Sequence, residues 1–364
     1  MKKKIISMLV FVILTSGIIG LAREYYIKEV IIETKTTELE DPFYTKYKMN
    51  VLKVIEEHLL HEELLYIDEN VRTNVQILYM EYLLKNNQEA LFKQTLKKLI
   101  EDFLTQDKLL SVGGYIQQDD SQVQPIPKWS LGDNLKVYKL MIRASKIWQN
   151  ELYETVANQL SDQIYRYNVV KNKLYSYHDP SIGEREGEIA LDDFDLKALG
   201  LLAEQDVRWK GTFQKSKEIV EKGYIGHNLP LYYTYYNYEE KTYGPQEKID
   251  ILQSLRIVQH LSESGICKSD TIKWLKEQIK AGGVYEQYDV KTGIVTSHKE
   301  AVAIYAVISQ IGKNIGDIEL YTLAMEKMLN FQVKDKQHQY FGAFMEKDKD
   351  RLNDYDLVQA LLAF

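Results

Sequence analysis

Six times along this chain a helix opens on a polar, mostly acidic cluster and runs on into a strongly apolar stretch. The openings are Thr73-Asn74, Asp133-Asn134, Asp192-Asp193-Phe194-Asp195, Asp250, Ser297-His298-Lys299-Glu300 and Asn353-Asp354-Tyr355-Asp356. They recur about every 50 to 60 residues, and each apolar run follows a more polar, amphipathic helix. A two-helix unit of this length cannot bury its apolar face alone, so the units must pack on one another. If they close into a ring, all the helix starts share one end and their acidic side chains converge on one mouth.

From Thr45 onward the 3.6-residue period predicts twelve helices. Segments 88–106, 151–167, 207–221, 269–280 and 317–331 alternate apolar and charged faces, so each keeps one side in solvent. The runs VQILYMEYLL from Val75, LKVYKLMIRA from Leu135, LKALGLLA from Leu196, AVAIYAVI from Ala301 and LVQALLAF from Leu357 are apolar nearly all round, which places them inside. Alternating outer and inner helices describe an all-α, single-domain (α/α)6 toroid of six helical hairpins over residues 45–364. A linear solenoid competes, but it needs polar capping repeats at its ends, and the last helix here is among the most apolar. Links from inner to outer helices are short. The opposite links, such as SVGGYIQQDD and LPLYYTYYNYEEKTYG, are long, rich in Gly and Tyr, and fall at the mouth.

Lys2, Lys3 and Lys4 precede an apolar run from Ile5 to Ala22, so residues 1–22 read as a signal peptide or membrane anchor and 23–44 as a stalk. Cys267 is the sole cysteine, which excludes an internal disulfide and a lipid-bearing cysteine near the leader. An exported, disulfide-free chain suits the extracellular face of a bacterial envelope. Net charge is -7 without a basic block beyond the leader, which argues against nucleic acid. No phosphate loop, nucleophile elbow, zinc-spaced cysteines or calcium loop is present, so neither cofactor nor metal is expected. Tyrosine is the outlier, with 27 residues against 10 Phe and 4 Trp, which suggests a surface for a ligand both apolar and hydroxylated.

Any one acidic helix start is explained by capping, worth about 1 kcal/mol. Asp192, Asp193 and Asp195 place more carboxylates in one turn than a cap requires. Asp133, Asp193, Asp250, Glu300 and Asp356 are expected to face a common cavity. Paired carboxylates flanking a substrate are the equipment of glycoside hydrolysis. The stretch 231–243 holds six tyrosines and reads either as a hairpin packed on the toroid or as a stacking platform for sugar rings. Tyr233, Tyr236, Tyr115, Tyr177 and Tyr285 are the aromatic candidates. His58 and His61 with Glu62 and Glu63 read as a solvated face.

The stretch SLGDNLKVYKLMIRASKIW resembles the D-G-D-L-D-I-A-type segment of family 8 glycoside hydrolases. ALDDFDLKALGLLAEQDVRW, LPLYYTYYNYEEKTYG, IKWLKEQIKAGGVYEQYDVKTG and the ending YFGAFMEKDKDRLNDYDLVQALLAF resemble a subgroup found in bacterial exopolysaccharide operons. The likeness runs over about Asn50 to Phe364 and implies an (α/α)6 toroid with inverting hydrolysis of β-glycosidic bonds. Polysaccharide is the implied partner, with exopolysaccharide synthase components and, through the N-terminal segment, the membrane beside it. The family's Glu acid lies in an S-E-x-x-x-x-x-M segment. The matching stretch, Thr73 to Met80, places Asn74 there, and an amide cannot protonate a leaving group. The second Asp of D-G-D falls at Asn134, with Asp133 beside it, and an Asp of the eighth helix falls at Gln253, one turn from Asp250. The Y-D-Y of the tyrosine stretch reads Tyr236-Asn237-Tyr238. For an active enzyme Asp250 is expected as base, Asp133 or Glu69 as acid and Asp193 as a substrate or transition-state contact, with Asn134, Asp195, Asn237 and Asp356 among the other substrate contacts. The alternative is a catalytically degenerate polysaccharide-binding protein.

Overall fold

The computed structural model describes residues 42–364 apart from 62, 117–122, 177, 180–183 and 347–350. The leader, most of the stalk and Tyr177 therefore lie outside the described residues. Twelve α-helices among the described residues pair into six hairpins. The outer ones are α1 (Pro42–His58), α3 (Glu89–Phe103), α5 (Glu151–Asn168), α7 (Lys210–Lys222), α9 (Ser269–Ala281) and α11 (Ile318–Met328). The inner ones are α2 (Thr73–Lys85), α4 (Leu131–Trp148), α6 (Leu196–Gln205), α8 (Ile251–Glu263), α10 (Val302–Ile315) and α12 (Asp354–Ala363). Helix α1 starts inside the stretch assigned to the stalk. A proline at the first helical position has its φ preset and no N–H to leave unpaired.

Burial follows the sequence pattern. Helix α3 buries Phe92, Thr95, Leu96, Leu99 and Phe103, one stripe at helical spacing. Helix α10 is buried at every position from Val302 to Gly312, because it packs on α8, α11 and α12 at once. Neighbouring inner helices touch in the order α2, α4, α6, α8, α10, α12, and α12 returns to α2. The seam is held by an Arg72–Asp354 ion pair and by the rings of Tyr44 and Phe364, 6.3 Å apart. The chain is a closed toroid, and the solenoid alternative falls.

Short antiparallel strands stitch the mouth loops together. The pairs are β1 (Leu60–His61) with β2 (Leu64–Leu65), β6 (Val169–Val170) with β7 (Lys173–Leu174), and β8 (His178–Asp179) with β9 (Glu184–Arg185). The triplets are β3 (Asn70–Arg72), β4 (Gly113–Ile116) and β5 (Val123–Pro125); β10 (Glu188–Ala190), β11 (Tyr235–Asn237) and β12 (Thr242–Gly244); and β13 (Lys248–Asp250), β14 (Gln287–Asp289) and β15 (Val295–Ser297). In each triplet the first strand leads into an inner helix and pairs with a loop of the next hairpin. The tyrosine-rich stretch is thus the β11–β12 hairpin.

The first turns of the inner helices pin these loops. Gln76 Oε1 accepts from Leu65 N at 2.8 Å, Asn134 Oδ1 from Leu110 N at 2.9 Å, and Ser254 Oγ from Tyr232 N at 3.0 Å. Caps fix where the helices begin. Ser130, Asp195, Asp250 and Asn353 accept backbone N–H groups of α4, α6, α8 and α12. Helix α10 has no side-chain cap of its own; Asp356 of α12 supplies it, accepting from Ala303 N at 3.2 Å.

Candidate active site

Helices α4, α6 and α8 bring their first turns together at one sector of the mouth. Ser130 caps α4 by accepting from Asp133 N at 3.2 Å, which sets the Asp133 carboxyl at the rim. Ahead of α6 the chain makes a 3-10 turn, Leu191–Asp193, that carries Asp192 and Asp193. Gly132 lets this turn come close. A Cβ there would stand 2.7 Å from Asp193 Oδ1, so any side chain would push the carboxylate aside. From α8, Arg256 Nη2 lies 3.0 Å from Asp192 Oδ2, and Gln253 Nε2 donates to Asp192 Oδ1 at 3.0 Å. The Arg256 guanidinium also donates to the hydroxyl of Tyr355 on α12.

The cluster holds three carboxylates around the Arg256 guanidinium, and two of the acids are shifted upward. Asp192 is held by Arg256 and Gln253. Burial pushes the Asp193 carboxyl up to about 7, the charges of Asp192 and Asp133 add to this, and the Ser176 hydroxyl at 3.0 Å and Arg256 oppose it. Asp133 is raised too, by burial first and by Asp192, against Lys136, Ser130 and Arg256. Asp193 thus shares a proton-binding cluster with Asp133, beside a carboxylate that is hydrogen-bonded by Arg256 and Gln253.

Not every expected residue joins it. Asp250 caps α8 through Gln253 N at 2.9 Å and is exposed at the rim, next to the same glutamine that binds Asp192. Glu69 is exposed in a tight turn with φ 61, ahead of β3. Asn74 opens α2, and its Oδ1 is buried without a hydrogen-bond partner. Four expected substrate contacts are instead structural. Asn134 is 0% exposed, and its amide bonds Leu110 O, Leu110 N and Ser130 O. Asp195 is likewise 0% exposed, tied to Lys139 below the mouth. Asp356 caps α10. Asn237 Oδ1 accepts from Glu239 N and Glu240 N at 2.9 Å, closing the β11–β12 turn. Glu300, expected at the cavity, bonds the Tyr305 hydroxyl and faces Lys327 of α11.

The tyrosines divide similarly. Tyr238 is buried and donates to Leu174 O at 2.6 Å, and Tyr243 donates to Ile219 O at 2.9 Å. Tyr233 and Tyr236 are half-buried against Tyr243, at 6.1 and 4.8 Å between ring centres. Tyr285 packs on His298 at 5.3 Å. Tyr115 on β4 is 55% exposed. The aromatic surface is thus chiefly a scaffold for the loops. Arg256, Ser176 and Tyr355 escaped the sequence reading. Arg256 had a signal: Gln253, Arg256, His260 and Glu263 make a polar stripe at helical spacing on an inner helix.

Among the described residues, Asp195, His260 and Glu263 bring possible metal-ligand atoms within 4.8 Å of one another. The Lys139 Nζ stands 2.6 Å from both carboxylates, so the place of a cation is taken by an ammonium.

No protein-family model matches the chain. The Bacillus subtilis strain 168 protein YdaJ, named as a lipoprotein, is 21% identical over 289 residues, 79% of this chain and 76% of its own length. An α-amylase from Clostridium perfringens superposes with a TM-score of 0.80 at 26% identity, over 87% of this chain and 96% of that one. The endoglucanase Cel10 of Klebsiella pneumoniae, a family 8 glycosyl hydrolase, superposes with a TM-score of 0.59 at 12% identity, over 86% of this chain and 97% of that one. The chain therefore has the six-hairpin toroid of the family 8 glycoside hydrolases.

Proposed function

We propose that the chain is a glycoside hydrolase acting on a bacterial extracellular polysaccharide, with Asp193 as proton donor and Asp250 as base. The observation that carries this is the gathering of Asp133, Asp192 and Asp193 at the mouth, where Arg256 and Gln253 bind Asp192 while burial and the neighbouring acids push Asp193 up to about 7. Asp193 takes the donor role expected of Asp133 or Glu69, and Asp133 helps to keep the proton on it. Asp250 stands one glutamine side chain from Asp192 and open to water, as the base of an inverting enzyme must be. Such enzymes separate acid and base by about 6.5–9.5 Å to admit the attacking water. Arg256-bound Asp192 faces the positive charge that develops at the anomeric carbon.

The likeness to an α-amylase puts an α-linked glucan beside the β-linked chain implied by the sequence resemblance. The likeness to a protein named as a lipoprotein supports an envelope position, held by residues 1–22 and near the components that make or export the polymer. No helix among the described residues is long and apolar enough to cross a membrane.

A second reading, a polysaccharide-binding protein without turnover, is favoured by Asn74, an amide at the position where the resemblance puts the acid, because an amide cannot donate a catalytic proton. The test is reducing-end release by the purified chain on α-glucans, mixed-linkage β-glucan, xylan and amino-sugar polymers. Activity that disappears in Asp193→Asn establishes the hydrolase. A silent native chain that binds one polymer, and that gains turnover in Asn74→Glu, establishes the binder.

A further inference from the structure

Below the mouth the ring axis carries a second polar cluster that cleavage of a glycan does not touch. Lys139, halfway along α4, is 9% exposed, and its Nζ stands 2.6 Å from Asp195 Oδ2 and 2.6 Å from Glu263 Oε2. His260 Nδ1 lies 3.7 Å from the same Asp195 oxygen, buried and without a hydrogen-bond partner. Two carboxylates and an imidazole at this spacing form a donor set suited to a divalent metal.

We infer that Lys139 is a positioning residue: its ammonium is the resident cation of a metal-like site, and by tying α4, α6 and α8 together it fixes the turn that presents Asp192 and Asp193. The connection is short. Asp195 N donates to Asp193 O at 3.0 Å, and Asp195 Oδ1 caps α6 through Ala198 N at 2.9 Å. Both oxygens of Asp195 are therefore committed, one to its own helix and one to Lys139, and the preceding turn has little freedom to tilt. The other three members of the cluster each share a helix with a mouth residue. Lys139 follows Asp133 on α4, and His260 and Glu263 follow Arg256 on α8. Burial alone would strip the charge from Lys139 and Asp195, but each holds the other charged: Asp195 and Glu263 raise the lysine, and Lys139 with His260 lowers the aspartate. Removing the ammonium leaves two carboxylates facing each other in a site built for a cation.

The cation site and the positioning of the turn rest on these distances, and only the catalytic meaning of that positioning rests on the reading of Asp193 as the proton carrier. In the full chain, Lys139→Ala should lower the Tm by several degrees, and micromolar Zn2+ should restore most of the loss while leaving the native Tm unchanged. Should Lys139→Ala fold only with zinc, the cation site is equally supported. An Ala variant whose Tm or folding is indifferent to zinc overturns it. The positioning is read from the titration of the Asp193 carboxyl by 13C NMR, which should move by about half a pH unit or more in Lys139→Arg, where the charge stays but the fit does not. Glu263→Gln, which keeps the Lys139–Asp195 pair, should leave that titration in place. A folded Lys139→Arg with Asp193 unmoved overturns the positioning role. A chain that releases no reducing ends removes the hydrolase reading and leaves both of these readouts intact.

Discussion

Asp193 and Asp195 are two residues apart, point into the same ring and have opposite chemistry. Asp193 sits among acids, with Arg256 shared between it, Asp192 and Asp133, and its carboxyl rises to about 7. Asp195 sits between Lys139, His260 and the N-terminus of α6, and its carboxyl falls well below the usual carboxylate range although burial opposes this. The mouth is charge-frustrated and the floor is charge-balanced. Deeper on the axis, Glu81 is held down to about 2, against its burial, by Lys85, Arg143 and Lys139. Three acids (Asp195, Glu263, Glu81) thus meet three bases (Lys139, Arg143, Lys85) below the mouth, whereas three acids meet only Arg256 and Lys136 above it. On the proposed function, the floor is expected to carry stability and the mouth reactivity.

The largest expected effect is on turnover. Asp193→Asn keeps the shape and removes the proton, so hydrolysis should fall by about 10²–10⁴-fold, the worth of a general acid. In the native chain the rate should decline as pH rises through about 7, where Asp193 loses its proton. A pH–rate profile on the responsive polymer checks both. Full activity in Asp193→Asn would move the acid to Asp133 or Glu69.

At the floor the effect should be on stability instead. Asp195→Asn leaves the Lys139 ammonium buried with half its partners and removes the charge that caps α6. A loss of about 3 kcal/mol in urea unfolding is expected. Asp195 is also a depressed acid, so its stabilisation is present above its unfolded value near pH 4 and is lost as pH falls toward its folded value. A variant as stable as the native chain would mean that the floor carries no net electrostatic support.

The frustrated site predicts the reverse sign. A carboxyl raised to about 7 contributes most below its unfolded value near pH 4, and that contribution is lost as pH climbs through 7. Replacing Asp193 with Asn should therefore leave stability unchanged at pH 4 and raise it at pH 8, by about 2 kcal/mol once screening at the half-open mouth is allowed for. One substitution that abolishes turnover and stabilises the fold would separate the two regions cleanly. Equal stability at both pH values would show that Asp193 titrates normally.

The ring was legible in the sequence because burial on several sides leaves runs such as AVAIYAVI without a polar face, while one-sided burial leaves stripes such as that of α3. The acidic helix starts were legible as well, but their roles were not. Asp133, Asn134, Asp193 and Asp195 have the same local pattern, and what separates them is which neighbour each one meets across the ring. Asn134 meets the backbone of Leu110, Asp195 meets Lys139, and Asp356 meets the bare N-terminus of α10. Those contacts join residues 24 to 56 positions apart, and helical periodicity says nothing about them. Polar residues on inner helices were the overlooked signal. Gln259 donates to Gln310 at 2.8 Å, Gln310 to Gln359 at 3.0 Å, and Gln359 to the Tyr355 hydroxyl at 3.1 Å, so such residues mark the axis.

The smallest expected effect is the sharpest probe of how closely the two regions are joined. Gly132 lies in the first turn of α4, where alanine would ordinarily favour the helix by up to about 1 kcal/mol. Its missing side chain is what admits the Asp193 carboxylate, since a Cβ would stand 2.7 Å from Oδ1. That oxygen is the end of a short side chain, so it can give way without unfolding anything, while Asp195 keeps the turn anchored from below. Gly132→Ala should accordingly change stability by less than about 1 kcal/mol, yet lower the rate several-fold and shift its upper pH limit as Asp193 moves away from Ser176. If stability fell in step with the rate, the mouth and the floor would be one mechanical unit. If neither changed, the close approach of Asp193 to α4 would have no part in holding its proton.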